Sequence, residues 1–159
     1  MPPLCIPVSI RRRADDLHGL EGARLIGALI VRETSLLIDD AEAAGAAPCG
    51  TAALSALILA CMAHQFRRPG LARLLDFEEA RLPLDADTEL VGERFRAILS
   101  DVLQRPDLPR QADVDAAARD VMAIVRGMID AAGAHGETDQ RKLSLRVKWA
   151  VFGYLGDSP

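Results

Sequence analysis

The apolar residues of this chain recur at the three- and four-residue spacing of an α-helix along most of its length. Residues 114–134 carry the most regular face, which consists of Val114, Ala118, Val121, Val125, Met128, Ile129 and Ala132. No run of five residues alternates apolar with polar side chains, the pattern typical of a half-buried strand. The sequence therefore predicts an all-α fold.

Prolines, glycines and capping residues divide this pattern into about six helices in one domain over residues 21–156. Residues 1–20 contain three prolines and a cluster of three arginines, and we expect them to be a loosely ordered lead-in. The predicted helices span 21–44, 51–66, 71–81, 88–104, 114–134 and 138–155. Thr51 is the expected N-cap of the second helix.

Composition excludes several classes of protein. Half of the 159 residues are hydrophobic, 26% are charged and the net charge is −4, which argues against a disordered chain and against one that coats nucleic acid. The bias towards Ala and Arg suggests a GC-rich bacterial genome.

Cysteine usage and the lengths of the apolar runs constrain the cellular location of the protein. Cys5, Cys49 and Cys61 are widely spaced, which suits a reducing compartment better than a disulfide framework. At the N-terminus the apolar residues precede the charged ones, whereas a signal peptide has the reverse order. The most apolar stretch, 51–63, is shorter than a membrane span. We expect a cytoplasmic protein that makes no contact with membrane.

The C-terminal helix, 138–155, has two apolar faces. One face consists of Leu143, Val147, Ala150, Val151 and Tyr154, and the other consists of Leu145, Trp149 and Phe152. Because both faces need cover, we predict that the domain core covers one and a second copy of the chain covers the other. The last two helices would then form an intermolecular four-helix bundle, whereas the alternative is a helix enclosed within a single domain.

Candidate chemical groups are few. His64 follows Cys61 by three residues, which suits a Cys–His dyad or half of a metal site, but a metal would need further ligands and no second cluster occurs. Phosphate-binding loops and the GxSxG elbow do not occur. We therefore expect no catalytic residue, metal or cofactor, and we interpret His64 as a polar pocket residue or a capped core histidine.

Two charged residues fall close to apolar stripes. Glu33 lies between Ile30 and Leu37, and Arg94 lies beside Phe95. Since a buried charge needs a partner, these two are candidates for pairing with each other or with a ligand. The alternative is that each extends to the edge of its helix.

Three connected segments carry a resemblance to a known family. PGLARLLDFEEARLPLD (69–85), the long helix after it, and MAIVRGMIDAAGAHGETD (122–139) leading into RVKWAVFGYLG (146–156) together resemble the C-terminal effector-binding domain of TetR-family regulators. The likeness extends over about residues 22–156 and lies in the order of helices and the character of the connectors. It implies that the last two helices dimerise and that the preceding helices surround a ligand pocket.

The resemblance implies a homodimeric, effector-sensing domain of a bacterial transcriptional regulator that binds a small, mostly apolar ligand. The first twenty residues do not resemble the family's junction with its helix-turn-helix, so we expect contact with DNA only through a missing or separate helix-turn-helix. Alternatives are a structural or interaction dimer with a filled core, and an enzyme that uses Cys61 and His64.

The residues expected to line the pocket are Ile30, Glu33, Leu57, Cys61, His64, Phe77, Arg94, Phe95, Ile98, Met122 and Val125. Among them, Glu33, His64 and Arg94 are expected to orient the ligand. The residues expected at the dimer interface are Val121, Val125, Met128, Ile129, Leu145, Trp149 and Phe152.

Overall fold

The described part of the chain is built from five helices. A computed structural model describes residues 8–67 and 86–156. Its helices are α1 (Val8–Gly45), α2 (Gly50–Arg67), α3 (Ala86–Leu103), α4 (Val114–Ala134) and α5 (Gln140–Gly156). No strand occurs within these ranges, and the predicted all-α fold is confirmed.

The helix boundaries agree with the sequence pattern except at the N-terminus. The predicted bounds of α4 are those of the structure, whereas α1 begins at Val8, inside the segment that the sequence predicts to be a loosely ordered lead-in. All three prolines of that segment precede Val8, and the Arg, Ala and Leu residues after them favour helix. The predicted helix 71–81 lies outside the described residues.

Helix α2 lies at the centre of the domain and contacts each of the other four described helices. Its buried residues are Gly50, Ala53, Leu54, Leu57, Ile58 and Met62. They recur at three- and four-residue spacing and form one broad buried face, along which the neighbouring helices pack. Leu59 points away from these contacts and is 47% exposed.

Helix α5 buries one of its two apolar faces. Its inner face consists of Leu143, Val147, Val151 and Leu155, each at most 1% exposed. The other predicted face points outwards, with Trp149 74% exposed and Leu145 46% exposed. Tyr154 differs from its predicted place in the core stripe, because its hydroxyl lies at the edge of α5 and donates a hydrogen bond to Asp120 Oδ2 on α4 at 2.7 Å.

The connector between α3 and α4 caps the corner where α1 ends and α2 begins. Asp107 accepts hydrogen bonds from the first backbone N–H groups of α2, and Arg105 donates to the carbonyl oxygens of Gly45 and Ala47 at the end of α1. Thr51, the predicted N-cap, is instead a helical residue whose hydroxyl donates to Asp107 at 3.1 Å. The cap of α2 therefore comes from a distant part of the sequence.

Candidate ligand-binding cavity

A cavity of about 430 Å³ lies between α1, α2, α3 and α4. Its lining is mostly aliphatic and aromatic, with a small number of polar groups. Among the described residues the lining consists of Ile30, Glu33, Thr34, Leu37, Ile38, Leu54, Leu57, Ile58, Cys61, His64, Gln65, Gly92, Phe95, Leu99, Val121, Met122, Ala123, Val125, Arg126, Ile129 and Asp130. Cavities of several hundred Å³ with this character are typical of small-molecule sites.

One face of α1 forms the first wall. Its lining residues follow the spacing i, i+3, i+4, i+7 and i+8, which keeps them on a single side of the helix: Ile30, Glu33, Thr34, Leu37 and Ile38. The Thr34 hydroxyl donates to the Ile30 carbonyl oxygen at 2.6 Å, so this polar side chain is bonded to its own helix. Glu33 is 8% exposed and is the buried charged residue of the described part of the chain.

Helix α2 forms the second wall and changes character along its length. Its first cavity residues, Leu54, Leu57 and Ile58, are buried aliphatic side chains. Its last, His64 and Gln65, are polar and only half-buried. The cavity therefore has apolar surfaces along one part of α2 and hydrogen-bonding groups along the other.

The walls from α3 and α4 are largely apolar. Phe95 and Leu99 line the cavity from α3, and Val121, Val125 and Ile129 line it from α4. Toward the end of this stretch, Arg126 and Asp130 pair across one helical turn, with Nε and Oδ2 3.8 Å apart. Their side chains are 63% and 47% exposed, so this pair lies where the cavity meets the surface.

Cys61 lies in the cavity wall with its thiol in apolar surroundings. The residue retains some exposed surface, but burial of the sulfur raises the pKa of the Cys61 thiol from 9.0 to about 12. A thiol is a nucleophile and a metal ligand as the thiolate, and burial disfavours that form. Among the described residues, no three His, Cys, Asp or Glu side chains lie together in a way that could hold a metal ion.

The structure brings most of the predicted pocket residues to the cavity. Those that line it are Ile30, Glu33, Leu57, Cys61, His64, Phe95, Met122 and Val125. Phe77 lies outside the described residues. The resemblance implied a pocket among these helices, and residues three or four apart on a helix share the face that lines it.

Arg94 and Ile98 do not line the cavity and differ from the prediction. The Arg94 guanidinium forms an ion pair with Glu42 on α1, rather than with Glu33, and its side chain is 62% exposed. Ile98 packs against the end of α1, where its Cγ2 lies 3.2 Å from the point that a Cβ of Gly45 would occupy. Both lie next to the stripe of α3 that carries Phe95, but they turn toward α1.

Three residues predicted at the dimer interface belong to the interior of the single chain. Val121, Val125 and Ile129 are at most 7% exposed, and all three line the cavity. They occupy the inner face of α4 because that face packs on the domain core. The remaining interface candidates are Met128 and Phe152, both half-buried, and the exposed Leu145 and Trp149.

Several lining residues that were not predicted lie at the same helical spacing as those that were. Leu37 and Ile38 continue the face of Ile30 and Glu33 on α1, and Leu54 and Ile58 continue that of Leu57 on α2. The helical period was a sufficient signal for these. Gly92 and Ala123 offered no such signal, since small residues contribute little to an apolar stripe.

The described fold is an all-α domain with a cavity between four of its helices, and comparison with known families makes the classification specific. Residues 51–155 match the family described as Tetracyclin repressor-like, C-terminal domain. The match covers more than half of the chain, so the chain belongs to this family, and the resemblance noted from the sequence is confirmed. No curated protein and no solved structure matches the sequence. No helix within the described ranges is both long and apolar enough to cross a membrane.

Proposed function

We propose that the chain is the effector-sensing, homodimerising domain of a TetR-like transcriptional regulator of the bacterial cytoplasm. Its effector is a small, mostly apolar molecule that binds in the cavity between α1, α2, α3 and α4. The observation that carries this proposal is the cavity of about 430 Å³ in a domain of this family. A dimer with a filled core would leave no such space.

Within the cavity, we assign different roles to the apolar and the polar residues. Leu57, Phe95 and Val125 are buried or nearly buried and supply the surface against which an apolar ligand loses contact with water. Glu33 and His64 supply hydrogen-bonding groups on two different helices. A few polar groups among apolar walls fix the orientation of a ligand.

Effector binding acts by favouring one arrangement of the helices. The cavity walls come from four helices, so a ligand that fits better between them in one arrangement shifts the population toward it. Helix α1 forms one wall and runs on toward the N-terminus, and α4 forms another wall and leads into α5. In a regulator that includes a helix-turn-helix, a shift of α1 would change the position of that DNA reader.

The outer face of α5 is the proposed contact with the second copy of the chain. Trp149 is 74% exposed and Leu145 is 46% exposed, and the half-buried Phe152 lies on the same face. Exposed large apolar side chains that share one helix face favour association, since burying them removes apolar surface from water. Met128 on α4 is the remaining candidate for this interface.

The enzyme alternative has less support than ligand binding. It needs a reactive thiolate at Cys61, whereas burial raises the pKa of that thiol to about 12. The same position suits a cavity wall, because a protonated thiol behaves as a small apolar group.

Native mass spectrometry of the freshly purified chain tests dimerisation and effector binding together. We expect a dimer that carries additional mass, released on collisional activation. A monomer would contradict the proposed homodimer.

A titration with a defined probe then tests the cavity itself. We expect 1-naphthalenemethanol to bind the wild-type chain in isothermal titration calorimetry and to bind Leu57→Trp at least about tenfold more weakly, because the indole would occupy the cavity. Leu59→Trp is the matched control, since Leu59 lies on the same helix but is 47% exposed. Absence of binding to the wild type, or equal binding to Leu57→Trp, would contradict ligand binding in this cavity.

A further inference from the structure

The two ends of the cavity differ in polarity, and this difference indicates the chemical class of the effector, an inference that rests on the proposed function. We propose that the effector is an amphiphile whose polar groups all lie at one end of the molecule. Its hydrocarbon end lies toward the corner between α1 and α2, and its polar end lies where the cavity meets the surface.

A shared corner of the four cavity helices defines a direction along the cavity. Arg105 and Asp107, in the connector after α3, bind the end of α1 and the start of α2, and α4 follows the same connector. The pairing of Arg94 with Glu42 also shows that α3 approaches this corner alongside α1. Residue numbers therefore rise toward the corner on α1 and α3, and they rise away from it on α2 and α4.

The corner end of the cavity is buried and apolar in its described lining. Each of its side chains is at most 3% exposed and has no hydrogen-bonding group: Ile38, Leu54, Leu57, Ile58, Leu99 and Val121. Their backbone groups lie inside helices and bond within them. A hydroxyl or a charged group of a ligand at this end would lose its water and gain no side-chain partner from these residues.

The opposite end of the cavity has polar side chains and reaches the surface. His64 and Gln65, near the end of α2, are half-buried, and the side chains of Arg126 and Asp130 are 63% and 47% exposed. Along α4, Asp130 lies about 13.5 Å beyond Val121. Water therefore reaches a ligand group at this end, so such a group keeps hydrogen bonds whatever interactions these side chains make within the chain.

This arrangement favours a ligand with polar groups at one end over a ligand with polar groups at both. Hydrocarbon that enters the corner end leaves water and stabilises the complex. A polar group at that end is unfavourable because its lost hydrogen bonds to water are not replaced. An amphiphile satisfies both ends of the cavity, whereas a molecule with two polar ends places one of them among aliphatic side chains.

Three rigid probes with the same ring system test the proposal. They are 2-naphthalenemethanol, naphthalene-2,3-dimethanol and naphthalene-2,6-dimethanol. The two dimethanols are isomers: the 2,3-isomer has both hydroxyls at one end of the ring system, and the 2,6-isomer has one at each end. In isothermal titration calorimetry with the whole chain, we expect the 2,3-isomer to bind with an affinity similar to that of the monoalcohol. We expect the 2,6-isomer to bind at least about tenfold more weakly than the 2,3-isomer.

A variant at the corner end tests the orientation of the ligand. Val121→Thr places a hydroxyl there with little change of side-chain shape, and it should reduce the difference between the two isomers by at least about threefold. Val102→Thr is the matched control, because Val102 is 1% exposed and does not line the cavity. It should leave the difference unchanged. Circular dichroism checks the folding of both variants, and the comparison of isomers in the wild type needs neither.

The outcomes distinguish this inference from the proposed function. Equal binding of the two isomers by the wild type, or tighter binding of the 2,6-isomer, would overturn the one-ended effector and leave a ligand-binding cavity. An unchanged difference in a folded Val121→Thr would overturn the proposed orientation. Absence of binding for all three probes would overturn the proposed function and this inference with it.

Discussion

The carboxylate of Asp107, in the connector between α3 and α4, accepts a hydrogen bond from the backbone N–H of Gly50 at 2.8 Å. Its second oxygen accepts from the backbone N–H of Thr51 at 2.9 Å. These are donors that a helix leaves unsatisfied at its N-terminus. Two residues earlier, Arg105 donates to the Ala47 carbonyl oxygen at 2.7 Å. One connector therefore caps the end of α1 and the start of α2.

Asp107→Asn should destabilise the protein in a way that depends on pH. The backbone hydrogen bonds from Thr51 and Gly50 lower the pKa of Asp107 from 3.8 to about 2. A lowered folded-state pKa gives stability that is present above the unfolded value of 3.8 and is lost as the pH falls through about 2. The urea midpoints of wild type and variant should differ by a constant amount at neutral pH and converge in acid.

Asp101→Asn, at an exposed position on α3, is the matched control for this change. We expect it to leave the gap between the midpoints small at every pH. A gap for Asp107→Asn that stays constant down to the acid limit would show that the carboxylate charge does not contribute to the cap.

Adding a methyl group at Gly50 and at Gly127 should have opposite effects on stability. A Cβ at Gly50 would lie 2.9 Å from Leu108 Cγ and 3.0 Å from Arg105 Cβ, so Gly50→Ala should destabilise by about 1–3 kcal/mol. A Cβ at Gly127 in α4 meets no heavy atom of the described residues within 4 Å, so Gly127→Ala should stabilise by about 0.5–1 kcal/mol. Chemical unfolding measures both changes. Stabilisation by Gly50→Ala would contradict the close packing of Gly50 against Leu108 and Arg105.

Sequence periodicity predicted helices better than it predicted which face meets which neighbour. The bounds of α4 follow from one long apolar stripe, whereas two of the five lining residues on α1, Ile30 and Glu33, were predicted. From the same stripe, Val121 and Ile129 were predicted to lie at the dimer interface. The helical spacing of apolar residues identifies an apolar face, but it does not indicate whether the domain core or a partner chain covers that face.

Other features could not be predicted because they depend on contacts between distant residues. Arg94 was predicted to line the cavity because it lies beside the apolar stripe of α3, but its guanidinium forms an ion pair with Glu42 on α1. The cap of α2 comes from Asp107, which is distant in sequence, whereas N-cap preferences concern only the residues next to the start of a helix. Local spacing therefore predicted the elements, and together with the family resemblance it identified eight of the 21 described lining residues, whereas pairing between elements required the three-dimensional structure.

Cys61 should react with thiol reagents far more slowly than Cys49. Burial raises the pKa of Cys61 to about 12, which leaves a very small thiolate fraction at neutral pH, while Cys49 is exposed at the corner between α1 and α2. In a Cys5→Ser background, Ellman's reagent should modify Cys49 on the order of a hundredfold faster. Peptide mapping by mass spectrometry identifies the modified residue.

Unfolding in urea provides the control for this reactivity. Both thiols should then react at similar rates, since burial no longer distinguishes them. Rapid modification of Cys61 in the folded protein would instead support an activated thiol and reopen the enzyme alternative.

The two faces of α5 should respond differently to substitution. Trp149→Glu should convert the proposed dimer to a folded monomer, because it places a charge on the exposed face. Leu143→Ala should destabilise the fold by about 2–5 kcal/mol, because Leu143 is 1% exposed in the core. Analytical ultracentrifugation measures the first effect and chemical unfolding the second. A Trp149→Glu dimer as tight as the wild type would place the interface elsewhere.

The cap provided by Asp107 also imposes an order on events during synthesis. Asp107 follows Gly50 by 57 residues. At about 5–20 residues per second, the ribosome completes the start of α2 roughly 3 to 11 seconds before it adds the residue that caps it. Until then, water must satisfy the first N–H groups of α2. The nascent α1–α2 corner is therefore completed only when a much later part of the message has been translated.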